Sequence, residues 1–180
     1  MHQADSADII ARAQSGNAKA AGELYELHYQ SVFRYLYYRV GDQLVAEDLT
    51  SEVFLKMIQA LPGFRPGPAL FRGWLLQIAR NLAIDHFRRK AAHPIEPIQE
   101  DITSGEKVVE IVERGLNSLL LRESLSQLNE EQRDVILLRF IEGFSIHQTA
   151  ATLHKSEDAI KGLQRRALMS LREVLNITEG

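Results

Sequence analysis

Apolar residues recur every three or four positions along nearly the whole chain, a spacing that predicts helices. We find no convincing run of alternating apolar and polar residues, the pattern that would indicate strands. The first half predicts a short helix around Ile9 and Ala13, followed by helices over Ala18–Val40, Leu44–Ala60 and Phe71–Arg89. Between the last two, "LPGFRPGPALFRG" holds three prolines and three glycines, which predict a shaped loop.

A change in composition separates this half from the rest of the chain. Residues 91–107, "AAHPIEPIQEDITSGEK", carry prolines and acids with little to bury, which is typical of a linker, and a weakly helical stretch over 108–121 follows. We therefore predict an all-α protein with two small helical domains joined by a flexible linker. The predicted boundaries are 1–91 for the first domain, 92–116 for the acidic linker and 117–180 for the second domain.

Within the second domain, Asn129 is the predicted N-cap of a helix, with the Gln132 side chain reaching back to it. This helix is expected to end at Gly143. It closes on the pattern of a helix-turn-helix. Ser145 and Gln148 form a capping box for a short helix, and Ser156 caps the next one after a tight turn. The inner stripe of that last helix is predicted to be Ile160, Leu163, Ala167 and Leu171. This pattern is typical of DNA-binding domains, although a plain helical hairpin has the same caps and stripe.

Charge is sorted along the chain although the total is only −3. Segment 72–90 has five bases against Asp85 alone, and segment 159–172 has four bases and no acid, whereas segments 42–52 and 96–113 are acidic. The basic segments predict two contacts with anions, and ordinary solvated helix faces are the alternative. On the second helix of the helix-turn-helix, the outer residues that could reach base edges and phosphates are Lys161, Gln164, Arg165 and Arg166.

Several classes of protein are disfavoured by what the sequence lacks. The chain has no cysteine, which excludes disulfides and thiolate metal sites and fits a cytoplasmic location. No apolar run is long enough to span a bilayer, so membrane insertion is not expected. No nucleophile, metal set or cofactor loop accompanies the carboxylates, so we expect no enzyme activity, no cofactor and no small-molecule substrate.

Two motif sets resemble one protein family. "DLTSEVFLKMIQAL" followed by "FRGWLLQIARNLAIDHFRRK" resembles region 2 of bacterial sigma factors of the sigma-70 family, and "AIKGLQRRALMSLR" in the helix-turn-helix is similar to region 4. Their order and spacing resemble the compact extracytoplasmic-function group, and the resemblance covers nearly the whole chain except the linker. The chain departs from the family at Gln148 and Thr149, where Glu-Ile is usual, and at His154, where glycine is frequent.

The resemblance implies a protein that binds core RNA polymerase and directs promoter recognition and transcription initiation. The polymerase-binding residues, expected to meet the β′ clamp, would be Asp48, Leu49, Glu52, Phe54 and Leu55. The residues at the −10 element would be Phe64 and Arg65, in a pocket for a flipped base, with Arg80, Asn81, Arg88, Arg89 and Lys90. The residues at the −35 element would be Ser156, Lys161, Gln164, Arg165 and Arg166. Further implied partners are the β flap, promoter DNA and an anti-sigma factor.

Two other readings of the same residues differ in what they predict. A stand-alone helix-turn-helix regulator, with an N-terminal sensor or dimerisation domain, would bind duplex DNA without polymerase. A helical adaptor would dock a protein on its acidic third helix and acidic linker, and it would lose no function when Lys161, Arg165 and Arg166 are neutralised.

Overall fold

The computed structural model describes residues 3–67, 70–92 and 119–178, and within these ranges it contains helices and no strands. The predicted all-α fold is confirmed. The helices are α1 (Gln3–Gln14), α2 (Ala18–Val40), α3 (Gln43–Ala60), α4 (Phe71–Ala92), α5 (residues 119–126), α6 (Glu130–Ile136), α7 (Ile146–Leu153) and α8 (Glu157–Thr178). The predicted linker at 92–116 lies outside the described residues except for its first position, as does most of the stretch 108–121.

Short polar segments set the ends of the helices in the first domain. Asn17 caps α2 by accepting a hydrogen bond from the Ala20 amide at 3.0 Å. Gly41 ends α2 in the left-handed conformation (φ 76°), and Asp42 caps α3 through the Val45 amide at 3.0 Å. The pair Gly41–Asp42 therefore ends one helix and starts the next within two residues.

The first domain is a packed bundle of α2, α3 and α4 with α1 against α2. Its fully buried side chains include Leu24, Leu36, Val53, Met57 and Leu75. Trp74 lies at the edge of this core, with its ring centroid 4.8 Å from that of Phe64 and 5.5 Å from that of Phe71. The first half of α4 is thus an ordinary buried helix, as its apolar spacing predicts.

The helix-turn-helix forms as its sequence predicts. Asn129 caps α6 through the Gln132 amide at 2.9 Å. Ser145 and Gln148 make both bonds of a capping box at the start of α7. Ser156 accepts a hydrogen bond from the Ala159 amide at 3.1 Å and starts α8. The predicted stripe on α8 faces inward, with Ile160, Leu163 and Ala167 buried and Leu171 packed against them.

The sequence predicts a regular helix that ends at Gly143. In the structure, the helix that begins at Glu130 does not keep α geometry that far. It continues from α6 into a π-helical turn, Leu137–Ile141, in which the Glu142 amide donates to the Leu137 carbonyl at 2.9 Å. A π turn holds more residues than an α turn, so it changes the direction of every side chain after it. Glu142, at the end of this turn, is 4% exposed.

The two domains pack against each other through α4 and α7 and through α2 and the π-helical turn. In this contact, a Cβ atom added to Gly73 would lie 2.8 Å from Thr152 Oγ1 and 3.8 Å from the Phe144 ring. Because 2.8 Å is shorter than real Cβ contacts, the absence of a side chain at Gly73 is what lets α4 approach α7 so closely.

His154 occupies the turn between α7 and α8 in the left-handed conformation (φ 53°, ψ 43°), where glycine is favoured. Among the described residues it is the one non-glycine with positive φ. The departure from the family noted at this position therefore leaves the turn intact but places a side chain where the backbone is strained.

We expect His154→Gly to raise the free energy of unfolding by about 0.5–1 kcal/mol, because it relieves the left-handed strain. The greater conformational entropy that glycine gives the unfolded chain offsets only part of this gain. The measurement is chemical denaturation followed by circular dichroism. His147→Gly is the matched control, since His147 lies within α7 and contacts Glu157 at 2.9 Å. It should lower the stability by about 0.5–1 kcal/mol. Equal effects at both positions would contradict the assignment of strain to His154.

Candidate nucleic-acid and protein interfaces

The end of α4 is an exposed basic tip. Burial along α4 stops at Ala83, and the side chains of Arg88, Arg89 and Lys90 are exposed in its last turns. Arg88 lies 3.7 Å from the exposed Asp85, a distance at which such a pair contributes little. The cations also lie near the negative end of the helix dipole, which stabilises them there. This tip is available to an anionic partner.

Asn81 is exposed on α4, whereas Arg80 beside it is engaged. The Arg80 Nε atom lies 2.7 Å from Asp134 Oδ2, and the Arg80 side chain is 27% exposed. Burial opposes the charge of Arg80, but the hydrogen bond and charge of Asp134 outweigh it and raise its pKa. In this arrangement Arg80 is not free to hold a phosphate.

The loop before α4 differs from the predicted base pocket. Phe64 is 6% exposed and packs edge-on against Phe71, with 5.4 Å between ring centroids. The ring of Phe64 is therefore part of the core, and its place in a pocket for a flipped base stays a prediction. Arg65 is exposed, and its Nη1 atom donates to the Pro62 carbonyl at 2.8 Å. Residues 68 and 69 of this loop lie outside the described residues.

The outer side of α3 combines acids with exposed apolar residues. Asp48 is exposed, Glu52 is half-buried and Leu55 is 61% exposed. Leu49 and Phe54 are 5% and 4% exposed, so their side chains hold α3 to the core, and their contact with the polymerase stays a prediction.

Ile58 extends the exposed apolar strip of α3, since it is 55% exposed and lies three residues after Leu55 on the same face. In the sequence, the spacing of three residues from Leu55 is the feature that could have indicated Ile58. We name Asp48, Glu52, Leu55 and Ile58 the α3 ridge. Exposed apolar side chains beside carboxylates are typical of a surface that docks a protein with basic groups.

The outer face of α8 is basic, as predicted. Lys161, Arg165 and Arg166 are exposed, and Ser156 lies at the start of the helix with its hydroxyl serving as the cap. Gln164 is half-buried because its Oε1 atom accepts a hydrogen bond from Arg139 Nε at 2.9 Å. The second helix of the helix-turn-helix thus presents cations outward, in the position that such domains use in a major groove.

Two buried carboxylates between the domains were not predicted as functional. The side chain of Asp134 is fully buried and accepts a hydrogen bond from the Tyr35 hydroxyl at 2.7 Å. Besides Arg80, Arg39 Nε lies 3.2 Å from it. Burial, followed by the charge of Asp134, raises the pKa of Tyr35 well above its usual range.

Glu142 forms the second buried cluster, and its side chain is also fully buried. Arg34 donates to both of its carboxylate oxygens, at 2.9 and 3.0 Å. Arg72 and the Ser31 hydroxyl donate to the same carboxylate, and Arg72 also donates to the Glu142 carbonyl at 2.8 Å. Nearby, burial and then the charge of Arg72 lower the pKa of His28 to about 4, so His28 is neutral at pH 7.

A sequence signal for these clusters existed in the helical spacing. Asp134 and Glu142 are four residues before and after Leu138, which is buried, so all three fall on one face of a regular helix. Acids in line with a buried leucine predict a buried carboxylate that needs a cationic partner. The identity of the partners required the fold.

Within the described ranges, no group of histidine, aspartate and glutamate side chains could hold a metal ion. None of the described helices is both long and apolar enough to cross a membrane.

Comparison with known proteins matches the two helical domains to two regions of one protein family. The sigma-70 region 2 model matches residues 24–93, and the sigma-70 region 4 model matches residues 124–173. The first contains the α3 ridge and the basic tip of α4, and the second contains the helix-turn-helix.

Individual relatives agree. The chain is 38% identical over 177 residues to the ECF RNA polymerase sigma factor BldN of Streptomyces coelicolor, covering 93% of this chain and 65% of that protein. It is 32% identical over 161 residues to the ECF RNA polymerase sigma factor SigX of Bacillus subtilis, covering 86% of this chain and 82% of SigX.

The fold has a counterpart among solved structures. The structure of CnrH in complex with the cytosolic domain of CnrY superposes with a TM-score of 0.72 at 26% identity, covering 96% of this chain and 97% of CnrH. The agreement extends over both helical domains. The chain therefore belongs to the sigma-70 family of RNA polymerase sigma factors, in its extracytoplasmic-function group, whose members direct the polymerase to promoters.

Proposed function

We propose that the chain binds core RNA polymerase through the α3 ridge, holds the −10 element at the basic tip of α4, and reads the −35 element with α8. It would do so in the cytoplasm and without catalytic chemistry of its own. The observation that carries the proposal is the exposure of cations at two separate places, the last turns of α4 and the outer face of α8, in a chain of net charge −3. Phosphate binding needs such cations, whereas helix packing does not.

At the −10 element, the exposed residues of the proposed site are Arg65, Asn81, Arg88, Arg89 and Lys90. The arginines and lysine would hold phosphates, and Asn81 can donate and accept hydrogen bonds at a base edge. Arg80 would join them only after release from Asp134, which lies 2.7 Å away. Phe64 supports the loop from within the core.

At the polymerase, Asp48, Glu52, Leu55 and Ile58 would meet the β′ clamp, with carboxylates facing basic groups around an apolar centre. The second domain would meet the β flap. Candidates for that contact are Leu168 and Leu175, which are 43% and 41% exposed and lie seven residues apart on one face of α8. CnrH is solved with the cytosolic domain of CnrY, which supports the expectation of an anti-sigma partner here as well.

At the −35 element, Lys161, Arg165 and Arg166 would contact phosphates or base edges in the major groove. Gln164 would act mainly through its NH2 group, because its oxygen already accepts from Arg139. The first test is size-exclusion chromatography with bacterial core RNA polymerase, followed by run-off transcription from the fractions. Co-elution with promoter-specific transcripts would support the proposal, whereas duplex binding by the chain alone, without co-elution, would favour a stand-alone regulator.

We expect Asp48→Arg to weaken binding to core polymerase by about a hundredfold, because like charges brought together at an interface cost several kcal/mol. Asp48 is exposed, so the fold should be unchanged by circular dichroism. Binding is measured by fluorescence titration with labelled chain. The matched control is Glu26→Arg, the same reversal at an exposed position of α2, which should bind as the unmodified chain does. A folded Asp48→Arg chain with unchanged affinity would remove α3 from the interface.

We expect the double substitution Arg165→Ala with Arg166→Ala to lower transcription from a −35-dependent promoter by about tenfold or more, since each base or phosphate contact contributes about 1–3 kcal/mol. Binding to core polymerase should not change. Arg172→Ala removes an exposed cation from the same helix, outside the proposed contact, and serves as the control. If the double variant loses polymerase binding to the same extent as transcription, α8 is a polymerase contact and not the −35 reader.

A further inference from the structure

The side chain of Gln14 reaches from the end of α1 to the loop that precedes α4. Its Nε2 atom donates to the Phe64 carbonyl at 2.6 Å and to the Leu61 carbonyl at 3.2 Å. The side-chain amide of glutamine has two hydrogens on this nitrogen, so it can serve both carbonyls at once. These carbonyls flank the 3₁₀-helical turn Leu61–Gly63, in which the Phe64 amide donates to the Leu61 carbonyl at 3.0 Å. One side chain of α1 therefore joins both ends of this turn.

The helix that carries Gln14 is itself fixed in place. Ile9 and Ala13 of α1 are buried in the core of the first domain. The chain leaves α1 through Gly16, which is in the left-handed conformation (φ 93°) and whose amide donates to the Ala13 carbonyl at 3.1 Å. Because α1 is packed and its end is closed, only the rotamers of Gln14 have to be ordered for its amide to hold the turn.

The Phe64 carbonyl belongs to the peptide group that also contains the amide nitrogen of Arg65. A peptide group is planar, so a hydrogen bond that holds the carbonyl also fixes the direction in which the chain enters Arg65. The ring of Phe64 is held separately, with its centroid 4.8 Å from that of Trp74. Gln14 and the core thus hold the backbone and the side chain of one residue. The next residue, Arg65, is exposed and is one of those proposed to contact the −10 element.

Loss of the Gln14 amide would change the partners of Arg65. Among the described residues, the other donor to the Phe64 carbonyl is Arg65 Nη1, at 3.4 Å, which is long for a hydrogen bond. The same Nη1 atom donates to the Pro62 carbonyl at 2.8 Å. A Phe64 carbonyl without Gln14 would need a donor in its place and would compete with the promoter for the Arg65 guanidinium.

We propose that Gln14 is a positioning residue for the −10 element, which holds the Phe64 peptide group so that the Arg65 guanidinium meets the promoter at a fixed place. This inference rests on the proposed function. It gives a role to α1, which lies before residue 24, where the match to the sigma-70 region 2 model begins. Gln14 contacts no DNA in this role but acts through Arg65, as a residue that supports a contact group does.

Trp74 reports on this turn in the free chain, because it is the single tryptophan of the chain and lies beside Phe64. We expect Gln14→Met, which keeps the length of the side chain and removes its donors, to shift the Trp74 emission to longer wavelength and to increase its quenching by acrylamide. Gln30→Met is the matched control, since it makes the same change at an exposed position of α2 and should alter neither. An unchanged Trp74 signal in Gln14→Met would show that Gln14 does not hold the turn, which overturns the inference.

In run-off transcription with core polymerase, we expect Gln14→Met to lower the yield from a promoter that the unmodified chain recognises by about tenfold, the size expected for the loss of two hydrogen bonds between neutral groups. The ratio of yields between this promoter and templates substituted in the −10 element should fall, whereas the ratio for templates substituted in the −35 element should not. A loss of folded chain would instead lower every yield by the same factor. Unchanged ratios, or an equal loss of polymerase binding, would overturn the inference.

A double-mutant cycle tests whether Gln14 acts through Arg65. We expect Arg65→Ala alone to lower the yield by about tenfold, and Gln14→Met added to it to have little further effect, because two changes that remove one contact are not additive. The measurement is the same run-off assay, with the four chains at equal concentration. If Gln14→Met lowers the yield as much in the Arg65→Ala chain as in the unmodified chain, Gln14 does not position Arg65.

The outcomes separate this inference from the proposed function. If the unmodified chain directs no promoter-specific transcription, the proposed function fails, and the role of Gln14 at the promoter fails with it, whatever Trp74 shows. If the unmodified chain is active and Gln14→Met keeps its −10 ratio, the proposed function stands and this inference alone is overturned. Gln14→Ala removes the same donors without adding bulk, and it replaces Gln14→Met in every measurement if circular dichroism shows a loss of helix in that variant.

Discussion

A fully buried carboxylate, Asp134, is the constraint on which the arrangement of the two domains depends. An ionised group removed from water is tolerated only when nearby charges and hydrogen bonds replace its hydration. The second domain supplies the acid, whereas Tyr35, Arg39 and Arg80, which satisfy it, all belong to the first. Neither set can stay dehydrated without the other, so the burial of these charges depends on the contact between the two domains.

Arg39 makes the dependence mutual. Its guanidinium is fully buried, and in the described part of the chain none of its three nitrogens makes a hydrogen bond of good geometry. Its charge is balanced by Asp134 at 3.2 Å and more weakly by Glu130 at 3.9 Å. Burying an arginine in this position costs desolvation free energy, because its guanidinium would be fully hydrated in water.

The fold could be predicted from local sequence because its signals are local. Caps such as Ser145 with Gln148, the Gly41–Asp42 break and the stripe at Ile160, Leu163 and Ala167 act within one or two helical turns. The π-helical turn after α6 could not be predicted, since "LLRFI" has the composition of an ordinary helix. It leads into Glu142, which contacts α2 and α4, more than sixty residues away in the sequence.

The candidate site shows the same division between what is local and what is not. Exposure at Arg88, Arg89, Lys90, Lys161 and Arg165 agrees with the expectation because charged residues at the end or on the outer face of a helix stay in water. A motif, however, marks residues that a family shares, whether they contact a partner or support those that do. Leu49, Phe54 and Phe64 lie within such motifs and are buried, which the motifs alone do not show.

Arg80 carries this distinction one step further, because it is neither a core residue nor a free contact. The position of Arg80 in the motif implies a contact with DNA, whereas in the structure Arg80 binds Asp134. Both contacts place a guanidinium beside an anionic oxygen. A carboxylate within the chain and a phosphate of the promoter would therefore be alternative partners for one group. The guanidinium that would suit promoter binding is therefore also the one that joins α4 to α6.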